Sequence, residues 1–263
     1  MATTDRPASR LVFVILGGPL TLVLIAVATL TITGTLARQS ESTQLAFTET
    51  ITRLRIDITD GSITLRGGSL RSVTGERIVT RGLQTPAFRE RVDGDTLIIE
   101  STCNPIGNTW CDVTYVLDVP RELTVVAETA LGSIQASDLT GSADLKSATG
   151  SVEVEGLSGE LRMESGAGSV RGSALSSPIV QASSGAGSVE LAFTAPPGFV
   201  DAGAGAGSTD VEVPRDGATY RVEESSGDDQ SNVRIAVTTD PASPNVLRVS
   251  SGAGGVSVHY PEA

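Results

Sequence analysis

The chain has 263 residues, 39% of them hydrophobic but only 3% aromatic, with 29 glycines and a formal net charge of −12. Its core must therefore be built from Val, Leu, Ile and Ala, which suits thin β layers better than a deep enzyme cleft. The acidic balance, with no basic stripe, argues against a nucleic-acid partner, and the length allows one or two domains.

Residues 1–10 read as a short tail carrying Arg6 and Arg10. Leu11 to Ile32, LVFVILGGPLTLVLIAVATLTI, runs for 22 residues without a charge. As a helix at about 1.5 Å per residue it would match the roughly 30 Å of a bilayer's hydrocarbon core. Gly17, Gly18 and Pro19 do not disqualify it, because membrane helices tolerate both residue types. With two arginines ahead of the span, the expectation is a single-pass anchor in the cell membrane, with the tail cytoplasmic and the remainder extracytoplasmic. A cleaved signal peptide ending near Thr35-Leu36-Ala37 is the alternative. A lipoprotein anchor would need a cysteine after the apolar run, and none is present. Residues 33–44 read as a polar linker, and 45–263 as one β domain.

From Leu45 the pattern is period-two. Leu54, Ile56 and Ile58 alternate with polar residues, Asp60-Gly61 marks a turn, and Ile63 and Leu65 alternate again. Arg89 to Glu100 predicts a hairpin turning at Asp93-Gly94. Val113, Tyr115, Leu117 and Val119 predict a further strand, ended by Pro120.

Residues 131–220 repeat. Blocks beginning Gly-Ser are anchored at Gly132, Gly150, Gly168, Gly187 and Gly207, in steps of 18, 18, 19 and 20 residues, with a late echo at Gly254. Ile134, Val152, Val170 and Val189 sit two residues after these glycines, and Gln135, Glu153, Arg171 and Glu190 follow as outward positions. Each block predicts two short strands, with Ser-Gly-Ala-Gly turning a corner where glycine can take positive φ. A period near twenty predicts a parallel β-helix or β-solenoid-like array of coils stacked about 4.8 Å apart. Past the array, Val233/Ile235/Val237 and Leu247/Val249 continue the alternation.

Cys103 and Cys111 bracket the loop CNPIGNTWC. In an exported chain an even pair in a turn-rich loop most simply forms a disulfide, with metal ligation or free thiols as the alternatives. Trp110 in that loop is either an exposed contact residue or a cover for the end of the core. Between Gly132 and Pro214 ten acids face three bases. Glu153, Glu155, Glu190, Asp210 and Glu212 are expected on one outward face. A shallow Ca²⁺ site is one reading of these acids; a solvated face that keeps the array soluble is the better one. No nucleophile elbow, zinc cluster or phosphate loop is present, so no catalytic, cofactor or metal residue is assigned.

The run LDVPRELTVVAETALGSIQASDLTGSADLKSATGSVEVEGLSGELRMESGAGSVRG resembles the bacterial putative-adhesin domain family of unknown function. The likeness is strongest over 113–193 and weaker out to Tyr260. PPGF at 196–199 and the insertion at 216–232 depart from the pattern. The resemblance implies a β-helical adhesin-like head, often behind an N-terminal membrane segment, and carries over no catalytic residue. The function expected is therefore a membrane-anchored, non-enzymatic binding module for a surface glycan or protein. A structural or regulatory envelope protein, linked to envelope stress and acting through a membrane partner, is the alternative. A carbohydrate-active enzyme using paired carboxylates such as Glu153 and Glu155 comes third.

Overall fold

The computed structural model describes residues 39–81, 85–103, 111–227 and 233–261. All of its regular structure is β. The N-terminal part contributes β1 (Gln39–Phe47), β2 (Arg53–Asp60), β3 (Ile63–Gly68), β4 (Val73–Arg81), β5 (Ala87–Asp93), β6 (Thr96–Thr102) and β7 (Cys111–Pro120). The repeat supplies β8 (Thr124–Leu131), β9 (Ile134–Ser137), β10 (Ala143–Thr149), β11 (Val152–Glu155), β12 (Leu161–Ala167), β13 (Val170–Leu175), β14 (Ile179–Ala186), β15 (Val189–Phe193), β16 (Phe199–Ala206) and β17 (Thr209–Glu212). The C-terminal part adds β18 (Arg221–Ser226), β19 (Val233–Ala236), β20 (Val246–Ala253) and β21 (Val256–His259).

These strands form two sheets. One has 11 strands in the order β1-β4-β7-β3-β9-β11-β13-β15-β17-β21-β19; the other has 10, in the order β18-β20-β16-β14-β12-β10-β8-β2-β6-β5. Through the repeat the chain gives one strand to each sheet in every period. In-register parallel pairing sets Val152 beside Val170 and Val170 beside Val189, all three fully buried. The inner faces of both sheets meet in one core of Val, Leu, Ile and Ala. Each fully buried valine or leucine there contributes about 1.5–3 kcal/mol relative to exposure.

The expected parallel β-helix or β-solenoid-like array is corrected to two mixed sheets, although the hairpin expected at Asp93-Gly94 is present. β4 runs antiparallel to β1 and β7, and β5 antiparallel to β6. The physical reason lies in the turns. Asp93-Gly94, with Gly94 at φ +63°, makes a tight hairpin that returns the chain on itself, whereas the Gly-Ser corners pass it to the facing sheet. The chain order also departs from simple winding. β20 and β21 lie against β16 and β17, while β18 and β19, earlier in sequence, take the outer edges. The segment Val246–His259 carries buried valines and the Ser-Gly-Ala-Gly corner, so it fits an inner place. RVEESS of β18 is mostly exposed and charged, which suits an edge.

The membrane expectation is also corrected. Among the described residues there is no helix, and so none long and apolar enough to cross a membrane. Leu11 to Ile32 lies outside those residues. A single-pass placement, with its cytoplasmic tail and extracytoplasmic domain, is therefore not supported. Residues 39–44, expected as linker, belong to β1. This edge strand is exposed along most of its length, so no apolar alternation marked it.

Candidate binding face

At each corner the repeat glycines do the same mechanical task. Gly132, Gly150, Gly168, Gly187, Gly207 and Gly254 all have φ between +140° and +152°. A Cβ on Gly150 would lie 2.1 Å from the Gly132 carbonyl oxygen, so no other residue fits without moving backbone. Below the corners runs a ladder that the sequence reading missed. The hydroxyls of Ser147, Ser165, Ser184 and Ser251 donate to the carbonyls of Gly132, Gly150, Gly168 and Gly207 at 2.8–2.9 Å. Its signal was parity: each serine stands two residues after an inward apolar pair, such as Leu161 and Met163.

Cys103 and Cys111 form a disulfide with Cα atoms 5.9 Å apart. It closes the β6–β7 connection, where the rungs of the repeat have a glycine corner. Trp110 lies outside the described residues.

With the corners fixed, register decides what each sheet shows to solvent. On the 11-stranded sheet one outward row runs Thr64, Gln135, Glu153, Arg171, and continues through Glu190, Asp210, Ser257 and Arg234. Beside it runs Arg66, Ser137, Glu155 and Ser173, with Glu212 and His259 further along. At about 4.8 Å per strand the row from β3 to β19 extends roughly 34 Å. Arg171 donates through Nε and Nη2 to Glu190 Oε2 at 2.9 and 2.8 Å.

The opposite sheet pairs several of its charges internally, while Arg55, Asp57 and Asp201 have no ion pair among the described residues. Lys146 pairs with Asp144 and Glu128, Arg162 with Asp144 and Glu164, Arg248 with Glu223, and Arg91 with Glu100.

Two shallow depressions lie on the 11-stranded face. One, of about 320 Å³, sits over Arg66, Gln135, Glu153, Glu155 and Arg171. The other, of about 440 Å³, sits over Asp210, Arg215, Arg234, Ser257, His259 and Tyr260. In the second, His259 Nδ1 lies 2.8 Å from the Tyr260 carbonyl oxygen and Nε2 3.2 Å from Asp210 Oδ2. Both partners only accept, an arrangement that favours the doubly protonated imidazolium. Burial alone would lower the His259 pKa, but the Tyr260 carbonyl and the Asp210 and Glu212 carboxylates outweigh it and hold it above the ordinary value. In that form the ring has no lone pair with which to take a proton from Ser257. The Arg215 guanidinium lies 5.0 Å from the centroid of the Tyr260 ring, and the Tyr260 hydroxyl donates to Thr238 Oγ1.

The structure brings the predicted acids Glu153, Glu155, Glu190, Asp210 and Glu212 onto this one sheet face. Among the described residues, no group of three or more His, Cys, Asp or Glu side chains is placed to hold a metal ion. Arg215 and Arg234 escaped the sequence reading because nothing local records that β19 lies beside β21.

A third polar cluster holds the N-terminal ends of the sheets together. Arg77 on β4 lies 2.6 Å from Glu90 on β5 and 3.7 Å above the Phe88 ring centroid. The Tyr115 hydroxyl donates to Glu90 Oε1 at 3.1 Å, and burial, with the adjacent Glu90 charge, pushes its pKa well up.

No family model and no curated protein matches this chain. Solved bacterial structures do. A putative cell adhesion protein from Clostridium sporogenes has TM-score 0.42 and 11% identity, over 85% of this chain and 100% of its own. A putative adhesin from Bacteroides fragilis has TM-score 0.37 and 12% identity, over 85% and 97%. A putative adhesin from Parabacteroides distasonis has TM-score 0.36 and 11% identity, over 83% and 97%.

Proposed function

We propose that the chain is a non-enzymatic, adhesin-like binding module whose contact surface is the outward face of the 11-stranded sheet. The observation that carries this reading is the continuous, in-register polar row of that face with two depressions along it. On the 10-stranded sheet Lys146, Arg162, Arg248 and Arg91 are held in ion pairs; the 11-stranded sheet presents a continuous polar row in which Arg66, Glu153, Glu155 and Arg234 have no ion-pair partner among the described residues. The backbone beneath these side chains is already fixed in register on stacked strands, so a ligand lying along them orders side chains alone, which favours affinity from many weak polar contacts. The open, shallow form of both depressions suits a polymer laid across the surface more than a small substrate enclosed from water. The Cys103–Cys111 bond fits a module that works in oxidising surroundings.

The test is binding of immobilised full-length protein to a panel of glycans and of surface proteins. Saturable binding that returns the ligand chemically unchanged is expected. Release of cleaved saccharide, or no saturable binding to either class, would overturn the reading.

A further inference from the structure

We propose that the depression at the β17–β21–β19 end of this face is a carboxylate-recognition subsite for an acidic saccharide residue. The inference rests on the binding-module reading and names the ligand chemistry of one part of that surface.

The charge of the lining is the first observation. On a chain of net charge −12, this depression is lined by Arg215, Arg234 and the His259 imidazolium against one carboxylate, Asp210. The central depression balances Arg66 and Arg171 against Glu153 and Glu155, and its Arg171 is already committed to Glu190. On the opposite sheet, the hollow over Asp57, Glu128, Lys146 and Glu164 is acidic.

Commitment of donors is the second. His259 spends both ring nitrogens on Tyr260 and Asp210, so it offers charge without a hydrogen bond. Arg215 and Arg234 are exposed and have no ion pair among the described residues, so their planar donor arrays are available. A guanidinium matches a carboxylate in two parallel hydrogen bonds.

The remaining lining favours a sugar over a peptide. The Ser257 hydroxyl and the Asp210 oxygen not facing His259 can donate to and accept from saccharide hydroxyls. A volume of about 440 Å³, open to solvent and continuous with the polar row, admits one sugar unit with its chain running on toward Arg171. Apolar recesses of the kind that anchor peptide side chains are not part of this lining.

The experiment is titration calorimetry of the full-length protein with trigalacturonate, its methyl ester, sialyllactose and lactose. At least one acid should bind at least about tenfold more tightly than its neutral counterpart, the factor one charge-assisted hydrogen bond contributes. The Arg215→Gln/Arg234→Gln double variant should lose that preference while keeping its melting temperature, since both side chains are exposed. Equal binding of acid and neutral forms, an unchanged preference in the double variant, or no binding of either acid would overturn the inference. If lactose or another neutral glycan still binds, and Glu153→Lys abolishes that binding, only the subsite falls and the binding-module reading stands. If the wider glycan and protein panel is also silent, both fall.

Discussion

Arg77 and Glu90 join the two sheets through a 2.6 Å ion pair whose side chains are only 10% and 15% exposed. The pair stands where the sheets depart from parallel stacking, between β4 of one and β5 of the other, and Tyr115 and Phe88 close around it. Glu90→Ala would strand the arginine's charge among buried neighbours, at a cost of about 3–5 kcal/mol. Replacing both with Met and Leu should cost far less. Urea unfolding of the two variants measures the difference; equal losses would show that packing, not charge, holds this end.

Val170 and Arg171 are adjacent on β13 and face opposite ways, one fully buried and the other 2.8 Å from Glu190 in solvent. Val170→Asp should cost several kcal/mol, because an unpaired carboxylate would sit between Val152 and Val189. Arg171→Ser should cost well under about 1 kcal/mol, as exposed ion pairs do. Thermal melts with the reverse ranking would mean the register is off by one.

Ala174 sits at φ +50°, where the equivalent residues one and two periods earlier are Gly156 at +67° and Asp138 at +57°. An alanine pays a steric penalty in this region that glycine avoids. Since its side chain is exposed, Ala174→Gly should stabilise the fold by about 0.5–1 kcal/mol. A lower melting temperature for this variant would show that the turn gains more from alanine's restricted unfolded state.

The His259 imidazolium makes stability depend on pH. Its folded pKa stands above the ordinary 6.5, so the stabilisation from Asp210 and Glu212 is fully present below about 6.5 and is lost as pH rises through the folded value. Arg234 on β19 and Arg215 in the loop after β17 oppose the charge from the other side. The wild type should melt at lower temperature at alkaline pH than at pH 6, and His259→Asn should flatten that difference. An equally steep profile in the variant would place the titration elsewhere.

These results mark what a sequence can carry. Val152, Val170 and Val189, with their outward neighbours, were legible because each repeat applies the same local rule, and the glycine corners state the period directly. The order of strands was not. The valines and Ser-Gly-Ala-Gly corner of Val246–His259 suit an inner place, but nothing local records that it displaces the earlier β18 and β19 to the edges, since that is a competition between distant segments. Arg77 left a partial sign, a charge at an inward-parity position between Val73 and Val79, but nothing near it named Glu90 as its partner. The acids of the outward face were foreseen as a set. The arginines that give its far end positive charge were not, because they arrive from a loop and an edge strand.

The measurement that bears most directly on function compares the two faces. Full-length protein carrying Glu153→Lys and Arg171→Glu on one sheet should be set against protein carrying Arg162→Glu and Glu164→Lys on the other, with both confirmed folded by their melting curves. Each is assayed for binding to the ligands that the wild type retains from the glycan and protein panel. The face assignment predicts that the first pair of changes abolishes binding and the second leaves it within about twofold, since rim and remote charges change affinity little. Loss of binding from the second pair with retention in the first would contradict it.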